Sequence, residues 1–448
     1  MSSARLRQLG WLSVAAGLWF GLPWLLPGDA TLNAALTLLL VVAVLWLSEA
    51  IDVTLTALLI PVLCAWQGLL PLPLALAYFA NPVIFLFLGG FALAAALQAQ
   101  QLDRYLADGM VRLAGGQLRY AVWLLFAVSA LLSMWISNTA TVAILLPLVL
   151  GLLAQAGATD ARTASFVLLG VAYSASIGGM GTLVGSPPNA LAAAYSGLQF
   201  VGWLRFGLPV MLLLWPLMLL VLTLLLRPQL AVRLAPPASG RWQWSRARLM
   251  TLLIFALTVA AWIGSAPLGK ALHIADMDTW IALSALVLLG FSGNVSWRQI
   301  EQQTEWGVLL LFGGGLCLSA MLQRSGASAF LAAELLTLFA GWPAWVTLLA
   351  LTSFVVFLTE LTSNTATTAL MLPLFVPLAP ALGLPPTAMA ALVALAASCA
   401  FMLPVATPPN ALVYATGRVP QRDMLRAGLL LNLLCSVLLA GLLPWLAG

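Results

Sequence analysis

Apolar residues run along this chain in blocks long enough to cross a bilayer, separated by short polar loops. Blocks fall at about 11–26, 31–49, 52–70, 80–98, 163–195, 202–226, 249–265, 277–293, 306–322, 384–415 and 427–446. Two longer stretches, 120–155 and 340–378, each carry a polar Ser-Asn-Thr triplet near the middle. A helix spanning hydrocarbon needs about 20 residues, so each long stretch exceeds one crossing. Irregular backbone is tolerated at membrane depth only against protein or a wet cavity. Each stretch is therefore expected to be a re-entrant hairpin with its triplet at the tip. The pattern predicts an all-α polytopic membrane protein of about 11 transmembrane segments plus two re-entrant hairpins.

The chain also repeats itself. Phe87-Leu88-Gly89-Gly90 matches Phe312-Gly313-Gly314-Gly315 at an offset of 225. SNTATVAILLPL at 137–148 matches SNTATTALMLPL at 363–374 in nine of 12 positions, at an offset of 226. GSPPNALAAAYSG at 185–197 matches ATPPNALVYATG at 406–417, at an offset of 221. Three matches in one order indicate a duplicated fold. Five expected crossings separate the hairpins; five is odd, so the copies should be inverted. Inverted repeats with interrupted helices are the pattern of alternating-access carriers, whose site lies near the midplane. An anion channel with two re-entrant loops is the structural alternative.

Composition narrows the class. Of 448 residues, 63% are hydrophobic and 7% charged, against roughly 25% charged in soluble domains. This excludes a soluble enzyme or a nucleic-acid binder and makes membrane lipid the surrounding partner. The net charge of +5 is topological. With the N-terminus cytoplasmic, 15 of the 18 basic residues, among them Arg5, Arg7, Arg104, Arg112 and Arg241, fall inside, as cytoplasmic loops require. The C-terminus is then outside, in the plasma (bacterial inner) membrane. The first apolar run has no clear cleavage pattern after it and reads as a retained helix. Cys64, Cys317, Cys399 and Cys435 lie in apolar runs and read as core residues, and the single histidine, His273, sits in a polar loop. Neither pattern calls for a cofactor or an enzyme's acid–base set.

The triplets carry the candidate chemistry. Ser137-Asn138-Thr139 and Ser363-Asn364-Thr365 each precede a helix-forming run. A helix start at mid-membrane offers unpaired N–H groups and a positive dipole end to an oxyanion. Asn and Thr side chains add donors, and their oxygens suit a small hard cation such as sodium. Gly178-Gly179-Met180-Gly181-Thr182, then Gly185-Ser186-Pro187-Pro188-Asn189, should unwind one helix, and Ala406-Thr407-Pro408-Pro409-Asn410 another, because Pro removes donors and Gly permits non-helical angles. Carbonyls of Gly185 and Ala406 are sodium-ligand candidates with Ser137, Asn138, Ser363 and Asn364. Ser133 and Thr359, four residues before each triplet, complete the sets. Two capped tips without a ligand are the plainer alternative. Glu360, Glu49 and Asp52 could each serve as a proton or cation site; the plainer expectation is that Glu360 orients the second tip and that Glu49 and Asp52 satisfy a helix junction. Gly89-Gly90 and Gly313-Gly314-Gly315 read as close-approach positions for packed helices.

The paired triplets, the GTLVGSPPN tract and the CAFMLPVATPPNA tract resemble the divalent anion:sodium symporter family, over about residues 30–445. That family includes dicarboxylate, citrate and sulfate carriers. The resemblance implies a homodimer that works as an elevator. Its scaffold would comprise 1–119 and 249–339, and its transport domain 120–226 and 340–448. A cytoplasmic linker would run over 227–248. It implies that Ser133, Ser137, Asn138 and Gly185 hold one sodium, and Thr359, Ser363, Asn364 and Ala406 another. Asn138, Thr139, Asn364, Thr365 and Pro408 would border a small divalent organic anion. SNT in both halves looks more like a C4-dicarboxylate carrier than a sulfate carrier. Sodium-free exchange, and citrate or tartrate as cargo, stay open at this point.

Overall fold

The computed structural model describes residues 3–25, 29–102, 105, 109, 113–156, 160–233 and 244–447. Arg104, Arg112, Arg241 and the linker segment 234–243 lie outside the described residues. Among the described residues the elements are helices, apart from one isolated bridge pairing Gln117 with Arg233. Eight helices are long and apolar enough to span a bilayer, and the pair Ser265–Leu272 and Met277–Phe291, bent by 94°, makes a ninth span if counted as one. The expected crossing at 52–70 is a shorter helix, Val53–Trp66, and that at 384–415 is split into Pro386–Ala397 and Pro408–Tyr414. The hairpin arm Asn138–Gln155 is among the eight, so the long helices do not map one to one onto the 11 crossings read from apolar blocks.

Both long stretches are helical hairpins. The first runs Leu118–Ser133 and back along Asn138–Gln155; the second runs Ala344–Thr359 and back along Asn364–Phe375. Each returning helix starts at its triplet, and the Ser137 hydroxyl caps the first by accepting from the Ala140 N–H at 3.3 Å. Each hairpin is followed by a broken helix. Ala161–Met180 breaks before Pro187–Ser196, and Pro386–Ala397 breaks before Pro408–Tyr414. The halves interlock: Pro187–Ser196 packs on Pro386–Ala397, while Pro408–Tyr414 packs on Ala161–Met180 and Asn138–Gln155. Outer helices present leucines to the exterior, as Leu220 and Leu224 on Phe200–Leu226 and Leu253 and Leu257 on Arg246–Ile263 do. Helices apolar on all sides suit a lipid surround.

The glycine clusters let helices touch. A Cβ on Gly89 would lie 2.6 Å from the Ala282 carbonyl oxygen, and one on Gly314 2.7 Å from that of Ala57. Helix Pro82–Ala99 thereby packs on Met277–Phe291, and Trp306–Arg324 on Val53–Trp66. Gly315 faces Ala369 of the second hairpin. Substituting Val at Gly314 should cost about 2–3 kcal/mol through overpacking, seen as a lower melting temperature in detergent. An unchanged melting curve would show that the backbones need no such approach.

Candidate functional site

The two hairpin tips and the two helix breaks meet around one cavity of about 570 Å³. Ser137, Asn138, Thr139, Ser363, Asn364 and Thr365 line it. Gly185, Ala406 and Pro408 line it too, with Ser186 and Thr407 beside them. Four helices begin at this wall: Asn138–Gln155, Pro187–Ser196, Asn364–Phe375 and Pro408–Tyr414. A helix start exposes unpaired N–H groups and a partial positive charge. Among the described residues no Lys or Arg side chain lines the cavity; the donors at the tips and breaks are backbone N–H groups and neutral side chains.

Ser133 and Thr359 do not reach the cavity surface. Both are fully buried, one layer behind the asparagines. The Ser133 hydroxyl donates to Asn138 Oδ1 at 2.5 Å, and Thr359 donates to Asn364 Oδ1 at 2.7 Å. Thr359 Oγ1 also lies 2.8 Å from the Ala397 carbonyl. In both tips the asparagine oxygen is held from behind, which leaves its amide N–H groups to the cavity side. Around the first tip the packing requires glycine: a Cβ on Gly185 would lie 2.6 Å from Gly179 O and 2.9 Å from Ser133 O, and one on Gly179 would collide with Asn138 Oδ1.

The breaks leave backbone groups without helical partners, and buried side chains satisfy them. Asn189 Nδ2 donates to Gly179 O and Thr182 O, both at 2.8 Å. Asn410 Nδ2 makes the same pair of bonds in the other repeat, to Ala400 O and Leu403 O, both at 3.1 Å. Trp203 Nε1 donates to Met180 O at 3.0 Å, and the Tyr173 hydroxyl to Phe401 O at 2.6 Å. Glu360, 2% exposed, supplies the acceptors. Its Oε1 accepts from Phe401 N–H at 2.7 Å, Met402 N–H at 2.8 Å and Asn432 Nδ2 at 2.7 Å; its Oε2 accepts from Leu403 N–H at 3.0 Å. Four donors on one carboxylate fit its acceptor-only, ionised form. Glu360 thus ties the second hairpin to the second break, a wider task than orienting its own tip.

The repeats differ in detail. Trp135 at the first tip stacks on Trp262 (6.5 Å, 3° between planes) and meets Phe255 edge-on at 5.2 Å. Its counterpart by offset, Leu361, is 71% exposed. Asp52 serves the helix junction as expected, accepting from Thr54 N–H at 2.8 Å. Glu49, in left-handed backbone at φ 48°, instead lines the cavity. Glu305 lines it as well. Sequence reading passed over Glu305, Asn432, Tyr173 and the tract asparagines Asn189 and Asn410. The polar Asn432 inside the apolar run 427–446 was the available signal for one of them; the others match ordinary loop, core or kink patterns.

Replacing Glu360 by Gln should destabilise the fold by about 2–4 kcal/mol, because an amide nitrogen would face backbone donors in a buried setting. Thermal unfolding in detergent measures this. A melting temperature equal to wild type would mean that the four bonds are dispensable.

The sequence pattern of the citrate transporter family (CitMHS) matches residues 43–396. An uncharacterized transporter of Haemophilus influenzae is 47% identical over 440 residues, covering 96% of this chain and 95% of its own. An uncharacterized transporter of Methanocaldococcus jannaschii is 37% identical over 407 residues, 90% of this chain and 91% of its own. The sodium-dependent dicarboxylate transporter SdcS of Staphylococcus aureus is 31% identical, covering 96% of this chain and 88% of its own. Among solved structures, the YdaH transporter of Alcanivorax borkumensis superposes with a TM-score of 0.59 at 18% identity, over 84% of this chain and 88% of that one; this likeness shows the fold. The chain is therefore a member of the citrate transporter family, within the divalent anion:sodium symporter superfamily, and a transport protein for small anions rather than an enzyme.

Proposed function

We propose that the protein imports C4-dicarboxylates such as succinate, malate and fumarate, coupled to sodium ions by alternating access. One observation carries this reading: the tips of both hairpins and both helix breaks open onto a single cavity that, among the described residues, holds no basic side chain. An anion site of neutral donors and helix starts needs co-bound cations to balance a dianion's charge. The oxygen sets available for them are Ser133, Ser137, Asn138 and Gly185 at one tip, and Thr359, Ser363, Asn364 and Ala406 at the other. The hydrogen bonds from Ser133 and Thr359 to the asparagine oxygens would give way to cation coordination. Bound cations would then fix the asparagine amides, with Thr139, Thr365 and Pro408, in the arrangement that holds the carboxylates. Cation and anion binding become linked because each completes the other's site.

The interlocked hairpins and broken helices support a moving unit of 120–226 with 340–448, carried against 1–119 and 249–339. A homodimer in the bacterial inner membrane with a cytoplasmic N-terminus belongs to this reading. SdcS, by its name a sodium-dependent dicarboxylate transporter, supports the substrate class. Citrate is the second reading, favoured by the name of the matching family.

Labelled succinate uptake into proteoliposomes tests the proposal. Empty vesicles should accumulate succinate under an inward sodium gradient and fail to do so with potassium. Uptake confined to succinate-preloaded vesicles and indifferent to sodium would sink the symport reading in favour of exchange. Asn138→Ala and Asn364→Ala should each remove saturable uptake, a loss of at least about tenfold, with protein still in the membrane. Gly179→Ala should act on the first tip alone, raising the sodium concentration for half-maximal uptake about tenfold as its methyl displaces Asn138 Oδ1. Wild-type sodium dependence in that variant would detach Gly179 from the cation site.

A further inference from the structure

Glu305 stands where an anion carrier would be expected to avoid a carboxylate. It ends the connection between Trp297–Gln303 and Trp306–Arg324 and makes no side-chain cap to its own helix. Its side chain instead lines the wall beside the first hairpin tip, in the same recess as Ser137. Glu305 lines the main cavity and also a side recess of about 20 Å³ shared with Trp135, Ser137, Gly185 and Pro187. A recess of that volume has room for one particle of water size. Glu49 is the other ionisable side chain on the main cavity wall; Arg298 and Glu301 sit on the short helix just before Glu305. At an offset of 225 the first repeat has Ala80 in place of Glu305, so this charge breaks the pseudo-symmetry of the two tips.

A fixed negative charge acts oppositely on the two cargo ions. It attracts a monovalent cation toward the oxygens of Ser137 and Gly185, and it repels a dianion from the same cavity. At about 8 Å, one unit charge changes affinity roughly threefold to thirtyfold per ligand charge as the effective dielectric falls from about 60 to about 20. A dianion feels twice the effect of a monoanion. From this geometry we infer that Glu305 enforces the order of binding: its charge draws a cation into the recess beside Ser137 and keeps the dianion out until that cation is present. Glu305 is then a coupling residue, the one that denies the empty carrier a ride with the anion alone. This rests on the sodium-coupled reading above, and extends it by assigning the order of binding to a charge that shares a recess with Ser137 and Gly185 of the first half.

The test compares wild type, Glu305→Gln, Glu305→Asp and Glu301→Gln in proteoliposomes and in detergent at neutral pH. Glu305→Gln keeps a hydrogen-bonding side chain and removes the charge. Its half-saturating sodium concentration for succinate uptake should rise threefold to thirtyfold. Succinate binding without sodium, followed calorimetrically, should tighten in the same variant. The tightening should be smaller for succinamate, which carries one negative charge. Glu305→Asp should restore near-wild-type sodium dependence, and Glu301→Gln, a matched charge removal away from the cavity, should leave transport unchanged. A purely structural role for Glu305 would not sort ligands by charge, so equal effects on succinate and succinamate would overturn the inference. A sodium-dependent wild type with an unmoved Glu305→Gln would overturn it alone; a wild type indifferent to sodium would overturn the symport reading and this inference with it.

Discussion

The structure depends on satisfying backbone polar groups where two helices are interrupted inside an apolar protein. Each unpaired carbonyl or N–H there would cost about 1–3 kcal/mol. The same device answers this in both repeats: an asparagine two residues into the helix after the break turns its amide back onto two carbonyls before it. Asn189 and Asn410 are both fully buried and reach carbonyls 10 and 7 residues back in both repeats. Glu360 supplies the missing acceptors only in the second break, where Cys399-Ala400-Phe401-Met402-Leu403 replaces the glycine-rich 178–182. The first break closes up by glycine contacts, the second is held by a buried carboxylate.

Electrostatics at the site follow from that architecture. Interrupting a helix creates a new start, and a start carries partial positive charge. Four such starts surround the cavity, with no basic side chain among the described residues that line it. Two carboxylates, Glu49 and Glu305, line the same cavity.

Legibility in the sequence varied by scale. The hairpins, their tips and both breaks could be read directly, because Ser-Asn-Thr and Pro-Pro-Asn inside apolar runs have few physical explanations. The cavity-lining residues Ser137, Asn138, Thr139, Ser363, Asn364, Thr365, Gly185, Ala406 and Pro408 followed from the same motifs. Ser133 and Thr359 were placed correctly on the descending arms, yet they stand behind the asparagines rather than on the cavity wall. Glu305 was invisible, since a glutamate before an apolar helix is an ordinary loop residue until another segment folds against it.

Hydrophobic patterning, repeat offsets and turn chemistry are local properties, and they sufficed to establish a duplicated helical membrane protein with paired interrupted elements. Which groups face one another across those elements is not local. The pairing of Glu360 with residues 401–403 and Asn432 spans 41 to 72 positions, and Glu305 and Ser137, from the two halves of the chain, line one recess. Such partners are chosen by how helices pack in three dimensions, where a charge finds its donors by proximity in space and not by spacing along the chain.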